Sequence, residues 1–371
     1  MGEKARYFIN GVGIIAPQKT FDPDVFLTEI SHYDKNVLTC IPPDFKAYIN
    51  PIQMRRLSRM LRIGLSAAII CLRDSKIAVP DGIITATGYG FLDETAKFLT
   101  ELLEQSEKQL TPTYFMQGTS NALAGLVALT VKCMGYNNTY ASKGFACENA
   151  LTDAMMQLNE NASANFLVGS YDEAAAVQYN ASIRASHFKS EFIDNISLFD
   201  SSTKGSIQGE GSAFFMLSGN TSSSTWCELT DMQLLYKPVG SELQDALDNF
   251  LITNSQKSED IDLIINGVSG DVQHDLVMNS LINSRFEKNS KARFKHLCGE
   301  YTTATSFALW LGASILKKQE VPNVVKVQPW NQSGTLRTIL IVNQYMNKTF
   351  TFILLKGILV NQSDELNRSK I

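Results

Sequence analysis

Two hydrophobic rhythms alternate along the chain. Short β-branched runs edged by glycine, at 7–15 and 82–90, read as buried strands that end in loops. Between such runs, apolar residues recur at spacings of three and four. Met54, Leu57, Met60, Leu61, Leu65, Ala68 and Cys71 mark a helix over 54–72, and 93–109 reads as an amphipathic helix. The Ala- and Leu-rich stretch 120–133 predicts a helix buried on most sides, and 165–169 is a further short apolar strand. The polar stretch 218–225 is the best boundary in the chain. Beyond it come a helix at 243–252, a strand at 261–265, a helix at 304–318 and strands at 337–342 and 350–355. This order implies an α/β protein with a mostly parallel sheet covered by helices. Two halves, 1–218 and 226–371, share a similar βα order, which points to an internal duplication without visible sequence identity.

One local pattern carries chemistry. Around Gly144 a short extended segment meets a helical stripe formed by Asn149, Ala150, Leu151, Ala154, Met155 and Leu158, and Cys147 stands at the junction. A cysteine at a strand-to-helix turn has unpaired backbone N–H groups beside its sulfur, and the helix N-terminus favours thiolate. Such an elbow is poised to take an acyl group. The plainer reading makes Cys147 one more small buried hydrophobe. Glu148, directly after it, opposes thiolate formation by like charge.

Composition narrows the function classes. At 371 residues with 44% hydrophobic and 19% charged positions, the chain is long enough for two domains or one large pseudo-repeated domain. A formal net charge of −4 argues against nucleic acid as a partner. The one dense basic run, 54–62 with Arg55, Arg56, Arg59 and Arg62, reads as a solvated helix face. Six cysteines without CxxC pairs signal neither zinc nor disulfides and fit a reducing cytoplasm. The first ten residues are charged and then strand-like, with no signal-peptide core, and Arg6 stands where myristoylation wants Ser or Thr. No uncharged run approaches a membrane span. A soluble cytoplasmic protein without membrane contact, metal site or nucleotide loop is the expectation.

Several segments in order then resemble the β-ketoacyl-acyl-carrier-protein synthase family of condensing enzymes. Phe8 to Pro17 is similar to the family's opening strand and loop, and Met54 to Ala68 to its early helix. Asn121-Ala122-Leu123-Ala124-Gly125 resembles the helix on the dimer side, and Ala146-Cys147 falls on the Ala-Cys elbow. Gly169 to Ala174 resembles the Gly-Gly-x-x-Glu turn. Phe199-Asp200 through Gly209-Glu210-Gly211 is close to the Phe-Asp…Gly-Glu-Gly signature, where clustered glycines mark a close backbone approach. The resemblance implies a thiolase-like fold, with two pseudo-repeated βαβα halves in αβαβα layers, and a dimer. It implies Cys147 as the acyl acceptor and an acyl carrier protein as partner, whose pantetheine arm brings the substrate, so that no other cofactor is needed. A basic helix near the active-site mouth would suit that acidic carrier.

The second half departs from the pattern. Family members place two histidines that stabilise the enolate formed as malonyl loses carbon dioxide. Here Asn266, Gly267 and Val268 include no histidine, and in Lys295-His296-Leu297-Cys298-Gly299-Glu300 the lysine matches while Glu300 takes the histidine's place. The glycine loop of the oxyanion hole is replaced by Gln344 to Lys348. The site candidates are therefore Cys147, Lys295, Glu300 and His274, with His296 a weaker substitute donor and Cys298, Asp262, His32 and His187 structural. Phe91, Phe115, Met116 and Phe145 are candidates to line the acyl pocket. Two functions follow: an acyl-accepting synthase with impaired or altered condensation, forming a homodimer or pairing with an active ketosynthase, or a non-catalytic partner resembling chain-length factors. A third, acyl transfer to a non-carbon nucleophile, needs Cys147 alone.

Overall fold

Strands buried on both faces build the sheet. In the computed structural model, which describes residues 5–22 and 25–358, thirteen strands form. They are β1 Phe8–Ile15, β2 Val37–Leu38, β3 Gly82–Thr87, β4 Tyr136–Ala141, β5 Asn165–Asp172, β6 Gln208–Gly209 and β7 Gly211–Ser218, then β8 Cys227–Tyr236, β9 Leu263–Asn266, β10 Ser290–Arg293, β11 Lys326–Val327, β12 Thr338–Tyr345 and β13 Thr349–Gly357. The charged start at 1–4 and the end of the second half, 359–371, lie outside the described residues. Eleven strands share one sheet in the order β11-β10-β9-β12-β13-β8-β1-β7-β5-β3-β4, and β2 pairs with β6 separately.

The duplication is written in this order. In the first half β1 runs antiparallel to β7 and β7 antiparallel to β5, while β5, β3 and β4 are parallel. In the second, β8 runs antiparallel to β13 and β13 antiparallel to β12, while β12, β9 and β10 are parallel. In the large sheet the halves join where Phe8 faces Glu228 and Ile9 faces Cys227, and a separate bridge pairs Gln208 with Glu300.

Alternate residues of one strand serve different layers. Ile339 and Ile341 of β12 enter a middle core with Phe215 and Leu217 of β7, Leu151 of helix Ala146–Glu160 and Phe307 of helix Thr305–Lys318. Leu340 and Val342 face outward, under Leu247 of helix Glu242–Thr253 and Met278 of helix Val272–Phe286. On the other outer face, helix Arg59–Ser75 places Ile63, Ala67 and Cys71 over Leu167 and Phe214. Helix, half-sheet, paired central helices, half-sheet and helix give the αβαβα layering.

Several expectations change. The sheet is mixed and not mostly parallel: six of its ten strand pairings are antiparallel, and the parallel ones lie toward its two ends. The helix expected over 54–72 begins at Arg59, because Ser58 caps it through the Leu61 N–H, while Asn50 caps a separate turn, Pro51–Met54. Helix Ala122–Val131 buries only Leu123, Ala124 and Val127 and leaves Leu129 78% exposed, so it is not buried on most sides within this chain. Strands β8 and β10 and helix Val272–Phe286 were not visible in the apolar spacing. The N-cap Asp271, which accepts the N–H groups of Gln273 and His274 at 2.9 and 3.0 Å, is the local signal that announces that helix.

Glycine tests the packing of the first half. A Cβ at Gly13 would lie 2.1 Å from the Ala67 carbonyl oxygen and 2.4 Å from the Cys71 nitrogen, both rigid helix backbone, whereas one at Gly125 meets nothing within 4 Å. Urea unfolding of Gly13→Ala is expected to show a loss of about 3 kcal/mol or more. Gly125→Ala is expected to be neutral or to gain up to about 1 kcal/mol; equal effects would contradict the packing of β1 on helix Arg59–Ser75.

Candidate functional site

The elbow is built as its sequence requires. Strand β4 passes through a 3-10 turn, Lys143–Phe145, into helix Ala146–Glu160. Gly144 is needed there, since a Cβ would sit 2.6 Å from Thr349 Oγ1 and 3.0 Å from the Tyr345 ring. Cys147 is the second residue of the helix and is 4% exposed, within the middle core. Burial pushes its thiol well above its ordinary value, Glu148 pushes the same way, and the Ser170 hydroxyl pulls back. The helix terminus that would favour thiolate is outweighed, and Cys147 is a neutral thiol at neutral pH.

Glu148 is sealed one residue on. Its Oε1 accepts hydrogen bonds from Thr305 Oγ1 at 2.6 Å and Thr351 Oγ1 at 3.0 Å, while its Oε2 is buried without a partner. Burial raises its carboxyl above the usual range, and these hydroxyls and Lys295 act against that rise. Thr305 opens helix Thr305–Lys318, so the N-termini of the two central helices meet at this carboxylate. Asp172, at the end of β5, lies beside the same junction. Its Oδ1 accepts from Thr87 Oγ1 at 3.0 Å and Gly88 N–H at 2.8 Å, and its Oδ2 accepts from Thr303 N–H and Oγ1, both at 2.9 Å, and from the Thr302 hydroxyl.

Lys295 and Glu300 come together as a buried ion pair, with Nζ 2.7 Å from Oε2 and 2.8 Å from the Gln344 carbonyl oxygen. Burial pushes the Glu300 carboxyl up and Lys295 holds it down. Two glycines bring this segment to the first half. A Cβ at Gly209 would lie 1.9 Å from the Cys298 carbonyl oxygen, and one at Gly299, where φ is +74°, would lie 2.5 Å from the Gly209 Cα. Glu300 thereby exchanges backbone hydrogen bonds with Ile207 and Gly209 at 2.8 and 3.1 Å. Its Oε1 has no partner, and it lines a cavity of about 10 Å³ with Asp172, Gln208, Tyr301 and Tyr345, room for about one water.

His274 makes no hydrogen bond with Cys147, Lys295 or Glu300 among the described residues; its Nδ1 lies 3.8 Å from Asp271 Oδ2. His296 donates its Nε2–H to the Val324 carbonyl oxygen at 3.0 Å, and burial lowers its pKa to about 4. Cys298 is buried, and Asp262 accepts the N–H groups of Arg337 and Thr338 at 2.7 and 2.8 Å. Of the expected pocket residues, Phe115 and Met116 are 60% and 67% exposed, Phe91 is core and stacks on Tyr171, and Phe145 meets Tyr236 edge-on. The glycine loop is replaced by a tight hairpin in which Met346 and Asn347 take φ of 53° and 54° and the Lys348 N–H closes on the Tyr345 carbonyl at 3.1 Å.

Residues 39–192 match the model of the beta-ketoacyl synthase N-terminal domain, which contains the elbow. The chain carries a β-ketoacyl synthase-like N-terminal domain. Among solved structures, this synthase-like chain is similar to the ishigamide ketosynthase/chain length factor, with 13% identity, a TM-score of 0.79 and coverage of 96% of this chain and 100% of that one. A beta-ketoacyl synthase from Burkholderia phymatum gives 14% and 0.76, with 96% and 100% covered. A ketosynthase in complex with its chain length factor from Xenorhabdus doucetiae gives 14% and 0.73, with 96% and 99% covered. No curated protein matches the chain by sequence. These likenesses establish the thiolase-like fold.

The spacing of sequence motifs found Cys147, Lys295 and Glu300 but not the groups that hold them. Thr302 and Thr303, directly after Glu300, were a visible pair of hydroxyls whose partner, Asp172, lies about 130 residues away. Thr351 and Asn343 offered no local signal. The raised Glu148 carboxyl fixes a sign for pH: its protonated form is favoured in the fold, so its stabilising share is lost as pH rises past the ordinary value of 4.5. Glu148→Gln removes this loss. Its stability relative to wild type is expected to improve as pH rises from about 4.5; a difference flat with pH in urea unfolding would refute the buried carboxylate.

Proposed function

We propose that this is a β-ketoacyl-ACP synthase-like protein of fatty-acid or polyketide biosynthesis that takes an acyl chain from an acyl carrier protein onto Cys147, with condensation impaired. The Lys295–Glu300 ion pair carries this reading. Where the family holds a histidine that donates to the forming enolate, this chain holds a carboxylate engaged by its own lysine. Such a group supplies no donor to an enolate and repels the malonyl carboxylate. The hairpin at Met346 and Asn347 removes the second oxyanion donor in the same way.

A second reading, a non-catalytic partner resembling chain-length factors, is favoured by a different observation. The Cys147 thiol is 4% exposed within the middle core, and burial raises it well above its ordinary value, so the nucleophile is neither open nor activated in this conformation. Both readings include a dimer in the cytoplasm. Support comes from edge strand β4, beside which Leu129, Met134 and Met156 are 78%, 95% and 61% exposed. Arg55 and Arg56 of the basic run are exposed and suit an acidic carrier, whereas Arg59, exposed as well, is engaged by Glu210.

Intact-protein mass spectrometry after incubation with an acyl-carrier thioester separates the readings. An acyl mass gain in wild type, absent in Cys147→Ala, is expected for the acceptor. No gain in well-folded protein would leave the partner reading. Carbon dioxide release from malonyl-carrier protein is expected to stay at background for the purified chain, and release above it would overturn the assigned loss of condensation.

A further inference from the structure

Outside the elbow, a polar groove of about 810 Å³ opens on the outer face of the second half. Its floor is set by strand register. Arg293 of β10 pairs with Asn266 of β9, and Lys291 of β10 pairs with Val327 of β11, so the two cations lie on one face two residues apart. Helix Val272–Phe286 forms one wall through Asn279 and Asn283, four residues apart. The turn from Gln328 to Asn331 forms the other.

The charge of this groove is unbalanced. Lys288, Lys291 and Arg293 line it against one carboxylate, Glu287. Lys291 Nζ donates only to backbone oxygens, those of Glu287 at 3.2 Å and Asn289 at 3.4 Å. Arg293 is the decisive residue. Its guanidinium lies 4.9 Å from the Phe199 ring, and its Nε is buried with no hydrogen-bond partner. Asp275 and Asp200 act on it only at a distance, and burial lowers its pKa. A guanidinium does not escape burial by losing its proton, so a half-buried one without a carboxylate partner is unfavourable until an anion arrives. Asn266, 3% exposed, is fixed at its side by accepting the Val268 N–H at 3.2 Å, which leaves its amide NH₂ as a further donor.

We propose that this groove binds a small soluble phosphate ester or diphosphate, with Arg293 and Lys291 on the phosphoryl oxygens and the Asn279 and Asn283 amides on a hydroxyl-bearing body. Planar guanidinium donors match phosphoryl oxygens, and the volume falls in the range of small-molecule sites. The site is separate from Cys147: it opens on the face of β9 that carries Ile264, whereas Cys147 lies in the middle core with Ile265.

Isothermal titration of the full chain with inorganic pyrophosphate tests the proposal, with citrate as the carboxylate comparison. Saturable binding below about 1 mM is expected for pyrophosphate, with citrate weaker. Arg293→Gln is expected to weaken binding roughly tenfold or more. Asn283→Asp, at an exposed helix position that leaves the fold intact, is expected to weaken it by like charge. No saturable binding to wild type up to about 10 mM, equal binding by Arg293→Gln, or citrate binding as tightly as pyrophosphate would each overturn the assignment.

Discussion

The meeting of two helix N-termini in the middle layer is the constraint on which this molecule turns. Helices Ala146–Glu160 and Thr305–Lys318 must both lie between the half-sheets, because their apolar faces fill the core that neither sheet closes alone. Packed this way, they present positive dipole ends and free N–H groups to one buried spot. Such a spot calls for buried acceptors. In this chain they are built in: Glu148 bridges the first turns of both helices by accepting the Thr305 hydroxyl, and Asp172 takes the Thr303 N–H just before the second helix.

That occupancy accounts for the character of the rest of the site. With carboxylates already in place, a thiolate at Cys147 would add another negative charge in a buried setting, so the thiol stays protonated. Lys295 is likewise committed, to Glu300 and the Gln344 carbonyl, and not to an incoming group. The departures from the family pattern are thus mutually consistent. Lys295 ties Glu300 to the Gln344 carbonyl beside the hairpin, while Glu148 is held separately by Thr305 and Thr351.

Local pattern was legible in the sequence and long-range pairing was not. The elbow could be read because strand, Gly144 and helix are neighbours, and Glu300 because its distance from Lys295 is fixed along one turn. The close approach of Gly209 to Gly299 was readable only from its first partner, since three clustered glycines say that backbone will meet something without saying what. Phe115 and Met116 show the converse error. Their apolar character suggested a pocket, yet side-chain type does not record which face of a short helix the fold leaves open. Helix Ala122–Val131 misled in the same way, being apolar all round while burying one side. The sealing of Asp172 needed hydroxyls from a distant segment, and no spacing rule reaches that far.

The seam between the halves has its own meaning. Two facing residue pairs, Phe8 with Glu228 and Ile9 with Cys227, and one bridge, Gln208 with Glu300, are the β pairing that crosses it among the described residues, so ladder hydrogen bonds contribute little to their union. What binds them is the buried surface of the central helices and the backbone contact at Gly209. The stretch 219–225 adds a rivet: Thr225 Oγ1 donates to Asn10 Oδ1 at 2.7 Å and the Thr225 carbonyl oxygen accepts from Lys317 Nζ at 2.8 Å, so the segment that changes halves is itself bonded to both.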